Sequence, residues 1–159
     1  FPVEGIIFKD ITTVLSNPEY LKWMKDEIVN LYRAYGITKV VGIESRGFIL
    51  GPAVAMDLGA GFVPVRKPGK LPAETIEVSY AKEYGVDTIQ IHADALSEDD
   101  VVLLHDDLLA TGGSMAAALE LVRKFNVKKV YINFIIELEF LNGRKAIGDD
   151  VEVSSLLSC

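Results

Sequence analysis

The stretch Val101-Val102-Leu103-Leu104-His105-Asp106-Asp107-Leu108-Leu109-Ala110-Thr111-Gly112-Gly113-Ser114 sets an apolar run, two adjacent carboxylates and a small-residue loop in succession. Gly112 and Gly113 can take backbone conformations closed to other residues, letting consecutive N–H groups converge on one anion. Good helix formers follow, Ala116-Ala117-Ala118-Leu119-Glu120, so a helix N-terminus stands behind the loop, and Thr111 and Ser114 add hydroxyl donors. This is the chemistry of a phosphate cradle. Neither GxxxxGK[ST] nor GxGxxG is present, which removes support for nucleoside triphosphate and dinucleotide cradles. Asp106 and Asp107 suit the two hydroxyls of a ribose whose phosphate lies in that loop. The plain alternative is a solvated acidic turn ahead of a Gly-rich helix start.

Such a loop must be held between a strand and a helix, and in open parallel sheets ligands bind beyond the carboxyl ends of the strands. Residues 18–35 place Leu21, Met24, Ile28, Leu31 and Tyr35 on one helical face, with Asn17 and Pro18 as entry signals and Gly36 as the stop. The apolar run at residues 39–43 predicts a strand buried on both faces. Helix 48–58, strand 62–65, strand 101–104, helix 114–125, strand 130–136, a helical turn at 141–147 and a strand at 151–157 continue the pattern. Repeated strand-helix order predicts an α/β fold, a parallel twisted sheet flanked by helices. Between residues 68 and 93 the apolar period falls to two, with Ile76, Val78 and Tyr80, then Val86, Ile89 and Ile91, and Gly85 between them. That predicts a hairpin projecting from the sheet. No repeat or linker divides the chain, so residues 1–159 are expected to form a single domain.

Composition narrows the class of partner. The 159 residues carry 16 Lys plus Arg against 23 Asp plus Glu, net −7, which gives no general attraction for nucleic acid or anionic lipid. Half the residues are hydrophobic and a quarter charged, a globular composition. A single cysteine, Cys159, forms no intramolecular disulfide and no multi-thiolate metal site. Apolar runs are far too short to span a bilayer and no basic-then-apolar leader stands in the sequence, so a cytoplasmic setting without membrane is expected. His92, His105, Asp57, Glu137 and Glu139 have no motif around them and are read as structural.

The segment from Asp106 to Ser114 resembles the phosphoribosyl pyrophosphate motif of the type I phosphoribosyltransferases, and in detail their adenine-specific branch. Phe1-Pro2, Gly5-Ile6-Ile7-Phe8-Lys9-Asp10-Ile11, Gly42-Ile43-Glu44-Ser45-Arg46-Gly47-Phe48, Arg66-Lys67-Pro68-Gly69-Lys70-Leu71-Pro72 and Glu83-Tyr84-Gly85 match that branch in order. The resemblance covers nearly the whole chain. It implies the type I fold with a small N-terminal hood and a β-hairpin lid, and transfer of phosphoribosyl from 5-phosphoribosyl 1-pyrophosphate to adenine in purine salvage. It also implies Mg²⁺ on the substrate oxygens, bound mainly through substrate with Asp106 and Asp107 nearby, and a homodimer.

By the same resemblance Leu109, Ala110, Thr111, Gly112, Gly113 and Ser114 bind the 5-phosphate side, and Asp106 and Asp107 the ribose hydroxyls. Ser45, Arg46, Arg66 and Lys70 meet the pyrophosphate, and residues 45–73 indeed hold four cations against one acid, net +3 in an acidic chain. Ile7, Phe8 and Lys9 form the base pocket, though Ile7 and Phe8 are equally ordinary core residues and Lys9 departs from the more usual Arg. Glu83 is the acid-base candidate with Tyr84 beside it on the lid, and Glu83, Asp107 and Arg46 are the expected catalytic set. The peptide between Glu44 and Ser45 is expected to be cis. Two other readings stand: a non-catalytic sensor of phosphoribosyl pyrophosphate, and the same transfer to another purine. Sensors of this fold carry an added DNA-binding domain, for which 159 residues leave no room.

Overall fold

In a computed structural model, which describes residues 11–82 and 84–159, a short helix Ile11–Leu15 (α1) leads into Pro18–Tyr32 (α2). Asn17 caps α2 by accepting N–H bonds from Glu19 at 3.0 Å and Tyr20 at 3.2 Å, and Pro18 fills the first turn, where no N–H is needed. The helix stops at Tyr32, short of the predicted Tyr35. The Tyr35 N–H turns back to the Tyr32 carbonyl at 3.0 Å, and Gly36 then takes φ 70°. Strand and helix alternate from there: Lys39–Ile43 (β1), Gly47–Leu58 (α3), Gly61–Val65 (β2), Thr75–Lys82 (β3), Gly85–His92 (β4), Val101–Leu109 (β5), Gly113–Arg123 (α4) and Lys129–Glu137 (β6). A 3-10 turn Glu139–Leu141, a short helix Arg144–Ile147 (α5) and Glu152–Ser158 (β7) complete the chain.

Five strands pair in the order β2-β1-β5-β6-β7, every pair parallel. Side chains alternate across this sheet and feed two cores, as a period of two requires. Val41, Ile43, Leu104, Ile132 and Phe134 pack on Met115, Leu121 and Val122, with the hairpin beyond them. Val40, Leu103 and Ile135 pack on Met24, Ile28 and Tyr32 of α2 and Leu50 and Val54 of α3. Helices cover both faces, which is why the strands read as continuous apolar runs. Phe134 is among the largest fully buried side chains. Phe134→Ala is expected to lower the unfolding free energy by about 3 to 5 kcal/mol, read from urea titration with an unchanged m-value.

The hairpin differs from its expectation. β3 and β4 pair in register from Thr75 opposite His92 to Lys82 opposite Gly85, and Gly85 takes φ 103°. Instead of projecting freely, its inner face lies on the sheet side occupied by α4, with Val78, Ile89 and Ile91 buried. Its root is joined to the end of β2, where Arg66 and Gln90 exchange N–H···O bonds of 3.0 and 2.8 Å. Its outer face and far end stand in water, with Glu77 and Ser79 exposed and Tyr84 at 88% exposure. The alternation was legible in sequence, but which neighbour would cover the apolar face was not.

The acids without motif context turn out to tie elements together. Asp57 of α3 pairs with Lys25 of α2 at 2.6 Å, and Glu137 accepts from Arg144 at 2.7 and 2.8 Å and from Ser155 at 2.8 Å. Among the described residues, no helix is long and apolar enough to cross a membrane.

Candidate active site

β5 runs five residues further than the apolar stretch suggested, so Asp106 and Asp107 lie inside the strand rather than after it. A strand sends neighbouring side chains to opposite faces, and the two acids consequently have different surroundings. Asp106 lines a cavity of about 220 Å³ together with Glu44, Arg66, Lys67, Tyr80 and Ser114. Asp107 is buried, with Oδ2 3.5 Å from Nη1 of Arg46, while its N–H donates to Asp106 Oδ1 at 2.8 Å. Burial first, and then the charge of Asp107, pushes the Asp106 carboxyl up to about 8. A carboxyl so placed gains from any ligand that brings a hydroxyl donor or positive charge.

After Leu109 the chain turns through Ala110 and Thr111 into α4. Gly112, at φ 89° and ψ −2°, begins the helix in a left-handed conformation. A Cβ there would stand 2.3 Å from the Gly143 carbonyl oxygen, because the turn packs directly on the entry to α5. Gly113 has no positive φ, and a Cβ on it would meet only Tyr80 at 3.6 Å. The two glycines read alike in sequence, yet one is required by backbone and the other by space at most. Thr111 is exposed and Ser114 half-buried, so both hydroxyls stay reachable at the helix N-terminus. The Leu109 side chain is 1% exposed and part of the core, whereas Leu108 is the open one at 37%. With the strand extended by five residues, alternation turns Leu109 inward.

The second loop leaves β1 at Ile43. The Glu44–Ser45 peptide is cis, as the resemblance implied, and Ser45 and Arg46 are exposed immediately before α3. Two glycines let this loop reach the acids: a Cβ on Gly47 would lie 2.9 Å from the His105 carbonyl oxygen, and one on Gly42 would lie 2.7 Å from the Gly47 carbonyl oxygen. Each cation of the window has an acidic partner among the described residues. Glu44, one residue outside the +3 window, accepts from Arg66 Nε at 3.2 Å, from the Lys67 N–H at 3.1 Å and from Lys70 Nζ. Lys67 Nζ pairs with Asp87 at 2.8 Å, and Lys82 joins the same carboxylate at 3.1 Å. Glu44 and Asp87 are the acids of this cluster that sequence reasoning passed over. An acid set directly beside clustered cations was the available signal for Glu44.

His105 lies fully buried beneath the acid pair, and burial lowers its pKa to about 4, so the imidazole is neutral. Its Nδ1 is 3.0 Å from Asn133 Oδ1, and Asn133 Nδ2 donates in turn to Ser154 Oγ at 3.1 Å, which lies 2.5 Å from the Tyr32 hydroxyl. This polar chain ties β5, β6, β7 and α2 below the site. Among the described residues no group of three or more His, Cys, Asp or Glu side chains is placed to hold a metal. Ile7, Phe8, Lys9 and the hood they would build lie outside the described residues, as does Glu83. A larger groove of about 580 Å³ between Arg144 and Val153 shares no lining residue with the acid-lined cavity.

Residues 10–154 match the phosphoribosyl transferase domain model. The adenine phosphoribosyltransferase of Bacteroides thetaiotaomicron is 64% identical over 158 residues, spanning 99% of this chain and 90% of its own length. The chain belongs to the adenine phosphoribosyltransferase family. Adenine phosphoribosyltransferase from Geotalea uraniireducens is 52% identical over 99% of the chain and 91% of its own length. The Giardia lamblia member, solved with 9-deazaadenine, superposes with a TM-score of 0.90 at 46% identity, covering 100% of this chain and 90% of that one. The Trypanosoma brucei member was solved with AMP, pyrophosphate and ribose-5-phosphate. It superposes at 0.86 with 30% identity over 94% of this chain and 68% of its own. The five-stranded parallel sheet with its hairpin is thus this chain's form of the adenine phosphoribosyltransferase fold.

Proposed function

We propose that this site joins adenine to the anomeric carbon of 5-phosphoribosyl 1-pyrophosphate, giving AMP and pyrophosphate in purine salvage. The observation that carries the reading is the single cavity bounded by Asp106 and Ser114 on one side and by Arg66 and Lys67 on the other. A sugar carrying phosphate at one end and diphosphate at the other needs that arrangement. The ligands of the Trypanosoma brucei relative are the product, the leaving group and the sugar phosphate of this reaction.

Ala110, Thr111, Gly112, Gly113 and Ser114 hold the 5-phosphate with backbone and hydroxyl donors at the N-terminus of α4. Asp106 and Asp107 hold the ribose hydroxyls. As the bond from the anomeric carbon to pyrophosphate breaks and the bond to the purine nitrogen forms, positive charge develops on the sugar, and these carboxylates stabilise it. Ser45, Arg46, Arg66 and Lys70 bind the departing diphosphate, with Arg46 reaching from the partner it has in Asp107. Glu83 accepts the proton that the purine releases, with Tyr84 screening water, and Ile7, Phe8 and Lys9 seat the base. Mg²⁺ fits as an ion carried by substrate: among the described residues the donor set offers the two strand carboxylates Asp106 and Asp107 and no closed cage, and a bound ion would supply positive charge to the diphosphate.

A cytoplasmic homodimer belongs to the same proposal, supported by Ile49 and Met56, exposed seven residues apart on α3. The deciding experiment incubates the chain with phosphoribosyl pyrophosphate, Mg²⁺ and each purine in turn, measuring nucleotide and pyrophosphate together. AMP with equimolar pyrophosphate from adenine is the expected result. Binding without turnover makes the chain a sensor, and nucleotide from guanine or hypoxanthine alone makes it another purine's enzyme.

A further inference from the structure

We infer that Glu44 is a positioning residue for the diphosphate: it grips Arg66 by Nε and draws in the Lys67–Lys70 segment, leaving the outer edge of the guanidinium open to the leaving group. The inference rests on the function proposed above and concerns the same site.

Arg66 is constrained from three directions. Its backbone exchanges hydrogen bonds with Gln90, its guanidinium carbon lies 5.9 Å from the centre of the Phe48 ring, and its Nε donates to Glu44 Oε1 at 3.2 Å. Its Nη groups make no hydrogen bond to a described residue, so the two-pronged end that suits phosphate is the end left over. Glu44 supplies the fixed point. Its side chain is largely buried at the end of β1, and the same Oε1 also accepts the Lys67 N–H at 3.1 Å while Oε2 takes Lys70 Nζ. Burial works to raise its pKa, yet Lys70, the Lys67 N–H and Arg66 together hold the carboxyl below the usual range, so it stays charged. One carboxylate thus orders Arg66 at the cavity wall and Lys70 beside it before any ligand arrives, and preordering removes a cost that binding would otherwise carry.

A merely structural Glu44 would join β1 to the β2–β3 connection without regard to ligand. Glu44→Gln keeps the shape and the Oε1 acceptor but loses the charge. Calorimetric titration of wild type and variant with inorganic pyrophosphate, and separately with AMP, tells the two roles apart. Pyrophosphate affinity is expected to fall about tenfold and KM for phosphoribosyl pyrophosphate to rise by the same factor, with AMP affinity held within about twofold. Arg66→Lys, which keeps the charge and loses the Nε grip, is expected to show the same selective loss, and the double variant to be no worse than either single one. The Arg66→Lys titration stands on its own if Glu44→Gln does not fold. Undiminished or tighter pyrophosphate binding by Glu44→Gln, an equal loss for AMP, additive effects in the double variant, or undiminished pyrophosphate binding by Arg66→Lys overturns the inference. Wild type that binds AMP but not pyrophosphate overturns it together with the proposed function, whereas unaltered variants of a pyrophosphate-binding wild type remove Glu44's role alone.

Discussion

Asp106→Asn is expected to turn over about 10²- to 10³-fold more slowly than wild type at saturating substrate, and yet to melt at a higher temperature at pH 8. Both effects come from one carboxyl group in a buried place. In the proposed transfer its negative charge faces a sugar turning cationic, and asparagine supplies none. Without ligand, burial and Asp107 raise its pKa to about 8, so between about pH 4 and pH 8 the folded chain keeps a proton that the unfolded chain has released. The folded state binds more protons across that window, and its stability falls as pH rises, the full loss being reached above pH 8. Asparagine resembles the protonated form at every pH. The melting advantage of the variant is therefore expected to grow from pH 5 to pH 8 and then level off, as scanning calorimetry at several pH values would record. Wild-type kcat in Asp106→Asn would end the ribosyl role of the acid pair, and an advantage that shrank with pH would contradict the buried, protonated carboxyl.

Gly112→Ala carries the other large effect. A Cβ at φ 89° costs about 1 to 2 kcal/mol by itself, and this one would also stand 2.3 Å from a backbone oxygen of Gly143 and 3.1 Å from the Ala146 Cβ. Neither neighbour is a flexible side chain, so the phosphate turn and α5 must part. A displacement of about 1 Å at a binding loop is worth about a hundredfold, and affinity for phosphoribosyl pyrophosphate and AMP is expected to fall by at least that factor, with a lower melting temperature. Gly113→Ala makes the comparison, since its Cβ would rest in ordinary contact with Tyr80 and wild-type melting is expected. Equal titration curves for Gly112→Ala and wild type would show that the turn does not hold the phosphate.

The difference between those two glycines marks how far the sequence could be read. Spacing located the turn, because glycines, hydroxyls and a helix-forming run together have few other uses. It could not tell which glycine needs φ beyond the reach of other residues, since that depends on α5, which begins at Arg144, 32 residues after Gly112. The strands were legible wherever both faces are buried, as in Lys39–Ile43, whose bounds agree with the apolar run. β5 was cut short in the reading because aspartate is a poor strand former, and only pairing with β6 through Asp106 and Leu108 keeps the backbone extended. Leu109 follows from the same cause. The positive window was visible as composition, but the ion pairs that neutralise it depend on Glu44 and Asp87, brought in by the end of β1 and by the hairpin. Ile7, Phe8, Lys9 and Glu83 rest on the family likeness alone.

The shared hydrogen bonds of Arg66 and Gln90 bear on how a substrate gets in and a product out. With its root hydrogen-bonded to the residue that follows β2, the hairpin has no free pivot there; a swing of the whole ribbon would carry Arg66, the proposed diphosphate ligand, along with it. An opening that spares this pairing has to leave the root of the hairpin where it is.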